Sequence, residues 1–192
     1  VRAAIRSIAR SCVTDRAGGA LYLFESADDA SPDTIGLAGP TGVASVSGDR
    51  WVHSSVEDPV QYVVVEEGRR LVKLIDGEVA ASVEASEFGG EVLCYPEVDY
   101  MGNVWVPDSV TCQVHKLDPD LLYLDSWGSP GTGDRELDHP RGLAIWRRFG
   151  QIFVSERAGA RYYWVGSDLR DLQLDMSPRG FTLSAVITET SS

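Results

Sequence analysis

No apolar run in the sequence approaches the roughly 18 residues that span a bilayer, so no membrane-spanning segment is expected. The opening stretch Val1 to Arg10 carries three arginines with no apolar block behind them, which excludes a retained signal peptide. The first residue is valine rather than methionine, as in a processed product or a piece of a longer protein. Lysine is scarce, with Lys73 and Lys116 the only two, a skew that reflects genome composition rather than chemistry. Positive charge is short overall: 17 basic residues face 29 acidic ones, the formal charge is -12 and the sequence pI is about 4.6. A field of that sign repels polyanions, so no nucleic-acid partner is expected. Three cysteines, Cys12, Cys94 and Cys112, are too few and too odd in number for a disulfide scaffold and read as free thiols. Catalytic signatures are missing too: there is no G-x-S-x-G, H-E-x-x-H, Walker loop or C-x-x-C. The cluster Gly128-Ser-Pro-Gly-Thr-Gly133 has a proline and no helix after it, and reads as a loop between repeats.

What the chain does contain is 43% hydrophobic and 24% charged residues over 192 positions, enough for a well-buried core. Glycine (19) and proline (9) punctuate short runs of β-branched and aromatic residues, which points to an all-β fold. One pattern recurs four times, a glycine followed three positions later by an aromatic: Gly19 to Tyr22, Gly48 to Trp51, Gly102 to Trp105 and Gly150 to Phe153. Three residues further on stand Glu25, Ser54, Asp108 and Glu156. The glycine suits a hairpin turn, the aromatic fills one face of the next strand, and the carboxylate at its end can accept N–H bonds from the following turn.

Around each copy lies material for four short antiparallel strands, the period of a β-propeller blade. A β-sandwich with recurrent hairpins is the alternative. The expected units cover residues 7–39, 40–92, 93–139 and 140–177, the propeller part being 1–177 and the tail 178–192. The first unit lacks a strand, so about three and a half to four blades are present and the ring is incomplete. Asn103 to Pro107 and Gln151 to Ser155 are expected as second strands, with Trp105 and Phe153 in equivalent positions between blades. Gln61 to Glu66 and Arg70 to Ile75 are expected to follow the aromatic strand of the second unit. Cys94 and Cys112 should sit two strands apart, about 9 to 10 Å, too far for a disulfide.

Candidate chemistry is thin. In a propeller, the loops entering the innermost strands rim the central channel. Glu97 and Asp99 in the third unit and His139 with Arg141 in the fourth occupy matching entrances there, and are the candidate ligand-binding residues; a solvated ion pair is the plainer reading. His53, His115 and His139 fall in different blade positions, so no metal site, cofactor or catalytic residue is assigned. Trp127, Trp146, Tyr162, Tyr163 and Trp164 exceed what a propeller core requires, and some are expected to face a partner.

The stretch Tyr95-Pro-Glu-Val-Asp-Tyr-Met-Gly-Asn-Val-Trp-Val-Pro-Asp-Ser109, with Gly133-Asp-Arg-Glu-Leu-Asp-His-Pro-Arg-Gly-Leu-Ala-Ile145 and Gly150 to Glu156, resembles an NHL repeat. The resemblance is good over residues 93–166 and weaker before them. It implies a β-propeller, often found in extracytoplasmic and cell-surface bacterial proteins, and in some lyases with a channel metal held by histidines. Arg179 to Ser192 resembles the first strand of a bacterial immunoglobulin-like domain, with an additional propeller strand as the alternative. The expected function is a non-catalytic binding or scaffold module, secreted or on the cell surface. Its expected partner is protein: further copies of itself or a missing part of the parent chain. The alternatives are a lyase or lactonase-type propeller enzyme, or a fibre subunit assembled by donating the strand Phe181 to Thr188.

Overall fold

A computed structural model describes residues 11–26, 28–46, 60–146, 151–157, 159–164, 172–177 and 180–185. Among the described residues, sixteen strands make up five antiparallel sheets. The first sheet holds β1 (Ser11–Asp15), β2 (Ala20–Phe24) and β3 (Asp33–Gly36). The second is the meander β4 (Gly42–Val46), β5 (Val60–Val65), β6 (Arg70–Ile75) and β7 (Glu78–Glu84). The third repeats it with β8 (Glu97–Val98), β9 (Val104–Asp108), β10 (Gln113–Leu117) and β11 (Tyr123–Trp127). The fourth holds β12 (Gly142–Trp146), β13 (Gln151–Glu156) and β14 (Gly159–Trp164), and β15 (Leu172–Ser177) pairs with β16 (Gly180–Ala185).

Period-2 alternation gives the central strands two apolar faces, and successive sheets pack face to face through them. Leu21 and Leu23 of the first sheet meet Val63, Val65, Val72 and Leu74 of the second. The opposite face of the second, with Tyr62 and Val64, meets Val98, Val104, Val106 and Leu117 of the third. Trp105 and Val114, on the far side of the third, meet Ile152 and Val154 of the fourth. The innermost strands lie side by side, β4 beside β8 and β8 beside β12. Gly42 is where this approach is closest: a Cβ there would stand 2.8 Å from the carbonyl oxygen of Cys94 and the Cα of Tyr95.

Three equivalent backbone bonds set the blades in register. Glu66 N–H donates to Ala38 O (2.7 Å), Ser109 N–H to Val92 O (3.0 Å) and Arg157 N–H to Asp138 O (3.0 Å). Val65, Asp108 and Glu156 are therefore equivalent, and so are Tyr62, Trp105 and Phe153 three residues earlier. In the first sheet Leu37 N–H donates to Gly19 O (2.9 Å) as Ala85 N–H donates to Arg69 O (2.7 Å) in the second. Asp15 is opposite Ala20, and Ala20 opposite Gly36, as Val65 is opposite Arg70 and Arg70 opposite Glu84. β1 is thus a second strand, with Cys12 at the aromatic position and Asp15 at the acidic one.

Two of the four expected repeat copies are corrected by this register. Gly19 to Tyr22 opens a third strand, not a second, and Glu25 is not the repeated acid. In the second unit the second strand is β5 and the third is β6, one place earlier than expected; Val65, not Ser54, stands at the acidic position. Gly48, Trp51, His53 and Ser54 lie outside the described residues. The repeat positions Cys12, Tyr62, Trp105 and Phe153 are 50, 43 and 48 residues apart, which removes the anomalously short first interval. Asn103 to Pro107 and Gln151 to Ser155 do fall on second strands, β9 and β13. Trp105 is buried at 4%, whereas its equivalent Phe153 is 42% exposed. Cys94 and Cys112 are not joined by a disulfide, as expected. The tail strand is also not unpartnered in its own chain: Phe181 is opposite Met176 in the β15–β16 hairpin.

Candidate binding surface

The four candidate residues sit on one stretch of inner strand and its neighbour without converging. Tyr95 N–H donates to Arg141 O (3.0 Å), so Tyr95 is level with Arg141. Glu97 and Asp99 lie two and four residues on, about 7 and 13 Å along the strand. Arg141 is exposed at the entrance to β12. His139, in the left-handed region at φ 50°, turns its Nδ1 to Asp138 Oδ1 at 2.7 Å. Asp138 also receives Arg157 Nη2 at 3.0 Å. The His139 contact and the Arg157 charge hold the Asp138 carboxyl below the usual carboxylate range.

Asp99 is occupied by its own hairpin. Its Oδ1 accepts the N–H groups of Met101 and Asn103, both at 2.9 Å, and its Oδ2 accepts Asn103 Nδ2 (3.0 Å) and the indole Nε1–H of Trp105 (2.8 Å). The carboxylate closes the β8–β9 turn and fixes the Trp105 ring, because an N–H group buried without a partner would cost more than the bond contributes.

Asp108 does the same at the other end of β9, as expected for the repeated acid. Oδ1 accepts Val110 N–H (2.8 Å) and Thr111 N–H (3.0 Å); Oδ2 accepts Glu91 N–H and Val92 N–H. In the first sheet, Asp15 Oδ1 accepts Gly18 N–H at 2.9 Å, the same three-residue step as Asp108 to Thr111. His115 Nε2 stands 3.8 Å from Asp108 Oδ2, an electrostatic neighbour rather than a hydrogen-bond donor at that length, and both residues are fully buried. Burial raises the Asp108 carboxyl, but the His115 contact and the backbone N–H bonds outweigh it and carry it well below the usual range. His115 also meets the Phe88 ring edge-on, centroids 5.0 Å apart, so it belongs to the packing between the second and third sheets. In the fourth sheet the longer Glu156 uses an intermediary. Its Oε2 takes Arg161 Nε at 3.1 Å, and Arg161 Nη1 donates to the carbonyls of Gly133 and Glu136, each at 2.7 Å.

The exposed apolar side chains gather elsewhere. Leu122, just before the outermost strand of the third sheet, and Tyr123 and Leu124 at its start are 66%, 46% and 49% exposed, and Tyr123 stacks on Phe88 at 6.0 Å. Trp146 is exposed on β12, while Tyr162, Tyr163 and Trp164 lie in β14 with side chains outside the described set. Sequence reasoning missed the β11 patch. Its signal was present in Leu121-Leu-Tyr-Leu124, an apolar run too short and too even to reveal which side would face water.

Sheets stacked face to face around adjacent inner strands define a β-propeller, here an arc of successive blades. No family model matches the sequence, and no curated protein matches it. Among solved structures, the chain is similar to a gluconolactonase from Xanthomonas campestris at 16% identity and TM-score 0.50, covering 73% of this chain and 42% of that one. It is similar to the dihydro-heme d1 dehydrogenase NirN, in complex with DHE, at 14% identity and TM-score 0.51, covering 94% and 43%. A protein of unknown function from Bacteroides thetaiotaomicron matches at 16% and 0.50, covering 71% and 36%. The first two are β-propeller proteins, and at these identities the likeness is one of fold. The chain spans less than half the length of each.

Proposed function

We propose that the chain is a non-catalytic, NHL-type propeller module of a secreted or cell-surface protein, and that it works by holding protein partners: further copies of itself or the rest of a parent chain. The observation that carries this reading is how the acids are used. Asp15, Asp99, Asp108, Asp138 and Glu156 are taken up in hairpins, loop anchors and ion pairs, while large apolar side chains stand in solvent on β11 and β12. Carboxylates fixed on backbone N–H groups serve the scaffold, whereas exposed apolar surface is what a protein partner covers. Arg141, exposed at the entrance to β12, is a secondary contact for a polar ligand.

Sedimentation velocity together with metal analysis of the purified protein tests the reading. Self-association, or association with a fragment supplying further blades, supports it. A monomer that carries stoichiometric zinc or calcium and hydrolyses a lactone would replace it with the enzyme reading.

A further inference from the structure

We propose that the outer edge of the third blade, strand β11, is a strand-addition site for an extended segment of a partner protein in which basic and aliphatic residues alternate. The proposal rests on the protein-binding reading above and gives it a surface and a partner chemistry. β11 is terminal in its sheet: among the described residues it pairs with β10 alone, so its other edge presents backbone N–H and C=O groups to solvent. Outer strands are ordinarily blunted with charge or small residues. β7 carries Glu78 and Glu84 at its ends and Ala80, Ala81 and Ser82 within, with Val79 its single exposed large apolar side chain; β3 has only four residues and begins with Asp33. β11 departs from that habit by exposing Tyr123 and Leu124 in succession at its start, with Leu122 exposed just before it. The Phe88 ring, lying parallel to Tyr123, widens this apolar surface toward the second blade.

Charge decides the partner. Asp118 and Asp120 precede the strand and Asp125 lies within it, opposite Lys116; Asp118 is fixed by accepting the N–H groups of Asp120 (2.9 Å) and Leu122 (2.8 Å). The cations nearby are Lys73, which reaches Asp120 at 2.7 Å, and Lys116, which lies over the Trp105 ring. Three carboxylates against two ammonium groups, on a chain of formal charge -12, disfavour a second copy on this edge and favour a basic segment. An incoming strand would bond to the free edge through its backbone and set its alternate aliphatic side chains on one face, beside Leu124.

The test uses the whole chain and a capped, fluorescein-labelled hexapeptide of alternating lysine and valine, followed by fluorescence anisotropy and by amide hydrogen exchange. Expected are saturable binding that weakens as salt rises, slowed exchange over residues 122–127, and affinity at least about tenfold lower for the glutamate–valine counterpart. Leu124→Lys should weaken binding by a similar factor and Leu124→Pro should abolish it, while Val79→Lys on the β7 edge leaves it unchanged; equal thermal midpoints confirm that the Leu124→Lys protein is folded. Binding indifferent to Leu124→Lys, equal binding of the two peptides, no binding, or concentration-dependent dimerisation through this edge would each overturn the proposal. None of these results bears on the scaffold reading, which the metal and mass measurements decide separately.

Discussion

Lys73 and Lys116, the only lysines in the chain, occupy equivalent positions in the third strands of successive blades. Lys73 is opposite Tyr62 and Lys116 opposite Trp105, and in both blades the pairing to the outermost strand slips just after the lysine. Lys73 reaches Asp120 at 2.7 Å while the Tyr62 hydroxyl donates to Pro119 O at 2.8 Å, so the β10–β11 turn is clamped to the second blade. Lys116 stands 4.9 Å from the centre of the Trp105 ring. The stem of each lysine covers apolar surface while its ammonium finds a partner.

Tyr62→Phe should cost about 1 kcal/mol, since it removes a buried donor and leaves Pro119 O unpaired. Lys73→Met should cost less, because Asp120 is largely exposed and surface pairs contribute little. Chemical unfolding monitored by tryptophan fluorescence would rank the two. Equal losses would mean that the ion pair, not the phenol, holds the turn.

The Tyr62 phenol also predicts an alkaline limit. Burial first, and then the Asp120 and Asp118 charges, push its ionisation above the ordinary tyrosine range. The unfolded chain ionises first, so this contribution is complete below about pH 10 and is lost as pH rises beyond it. The Tyr62→Phe protein should show a shallower fall in thermal midpoint over that alkaline range than the parent.

Asp108 predicts the opposite limb. Its folded carboxyl ionises well below the ordinary range, so its contribution is present above about pH 4 and is lost as pH falls toward the folded value. Asp108→Ala leaves the N–H groups of Glu91, Val92, Val110 and Thr111 without their charged acceptor and should cost about 3 kcal/mol. Denaturant midpoints across the acid range should show a flatter profile for this variant; an unchanged profile would remove Asp108 as the source of acid sensitivity.

Two glycines separate close approach from mere turn preference. Gly42→Ala would press a methyl against the Cys94 and Tyr95 backbone and should destabilise by about 1 to 3 kcal/mol. Gly36→Ala meets nothing within 4 Å and should be neutral or slightly stabilising. Thermal midpoints of the pair measure the tightness of the inner-strand packing directly.

The third blade was the most legible in the sequence because every local signal agrees there: Asp99 turns the first hairpin, Trp105 fills the interblade face and Asp108 closes the strand. The first and second blades were misread because Gly-x-x-aromatic is a hairpin preference that third strands and loops also satisfy. A better signal was at hand. Val13-Thr-Asp-Arg-Ala-Gly18 matches Val154-Ser-Glu-Arg-Ala-Gly159, and valine stands two residues before the acidic position in all four units, at Val13, Val63, Val106 and Val154. The acid marks where a strand must bond to the turn after it, a constraint narrower than the aromatic's need for an apolar face.

By itself the sequence determined the all-β class, the blade-length repeat and the second strands around Trp105 and Phe153, because alternation and turn chemistry act over a few residues and need no partner. Only the tertiary structure decided which of two like residues does which work. Glu97 and Asp99 are two positions apart and equally acidic, yet Asp99 is locked onto Trp105 by a hairpin whose closure brings its carboxylate to the indole. Leu121 and Leu122 are identical in sequence terms, yet the first is 4% exposed and the second 66%, since the turn between β10 and β11 carries Leu121 into the core shared with the second blade and leaves Leu122 to solvent. Distances across sheets arise from the stacking of blades many residues apart, and a local pattern carries no record of them.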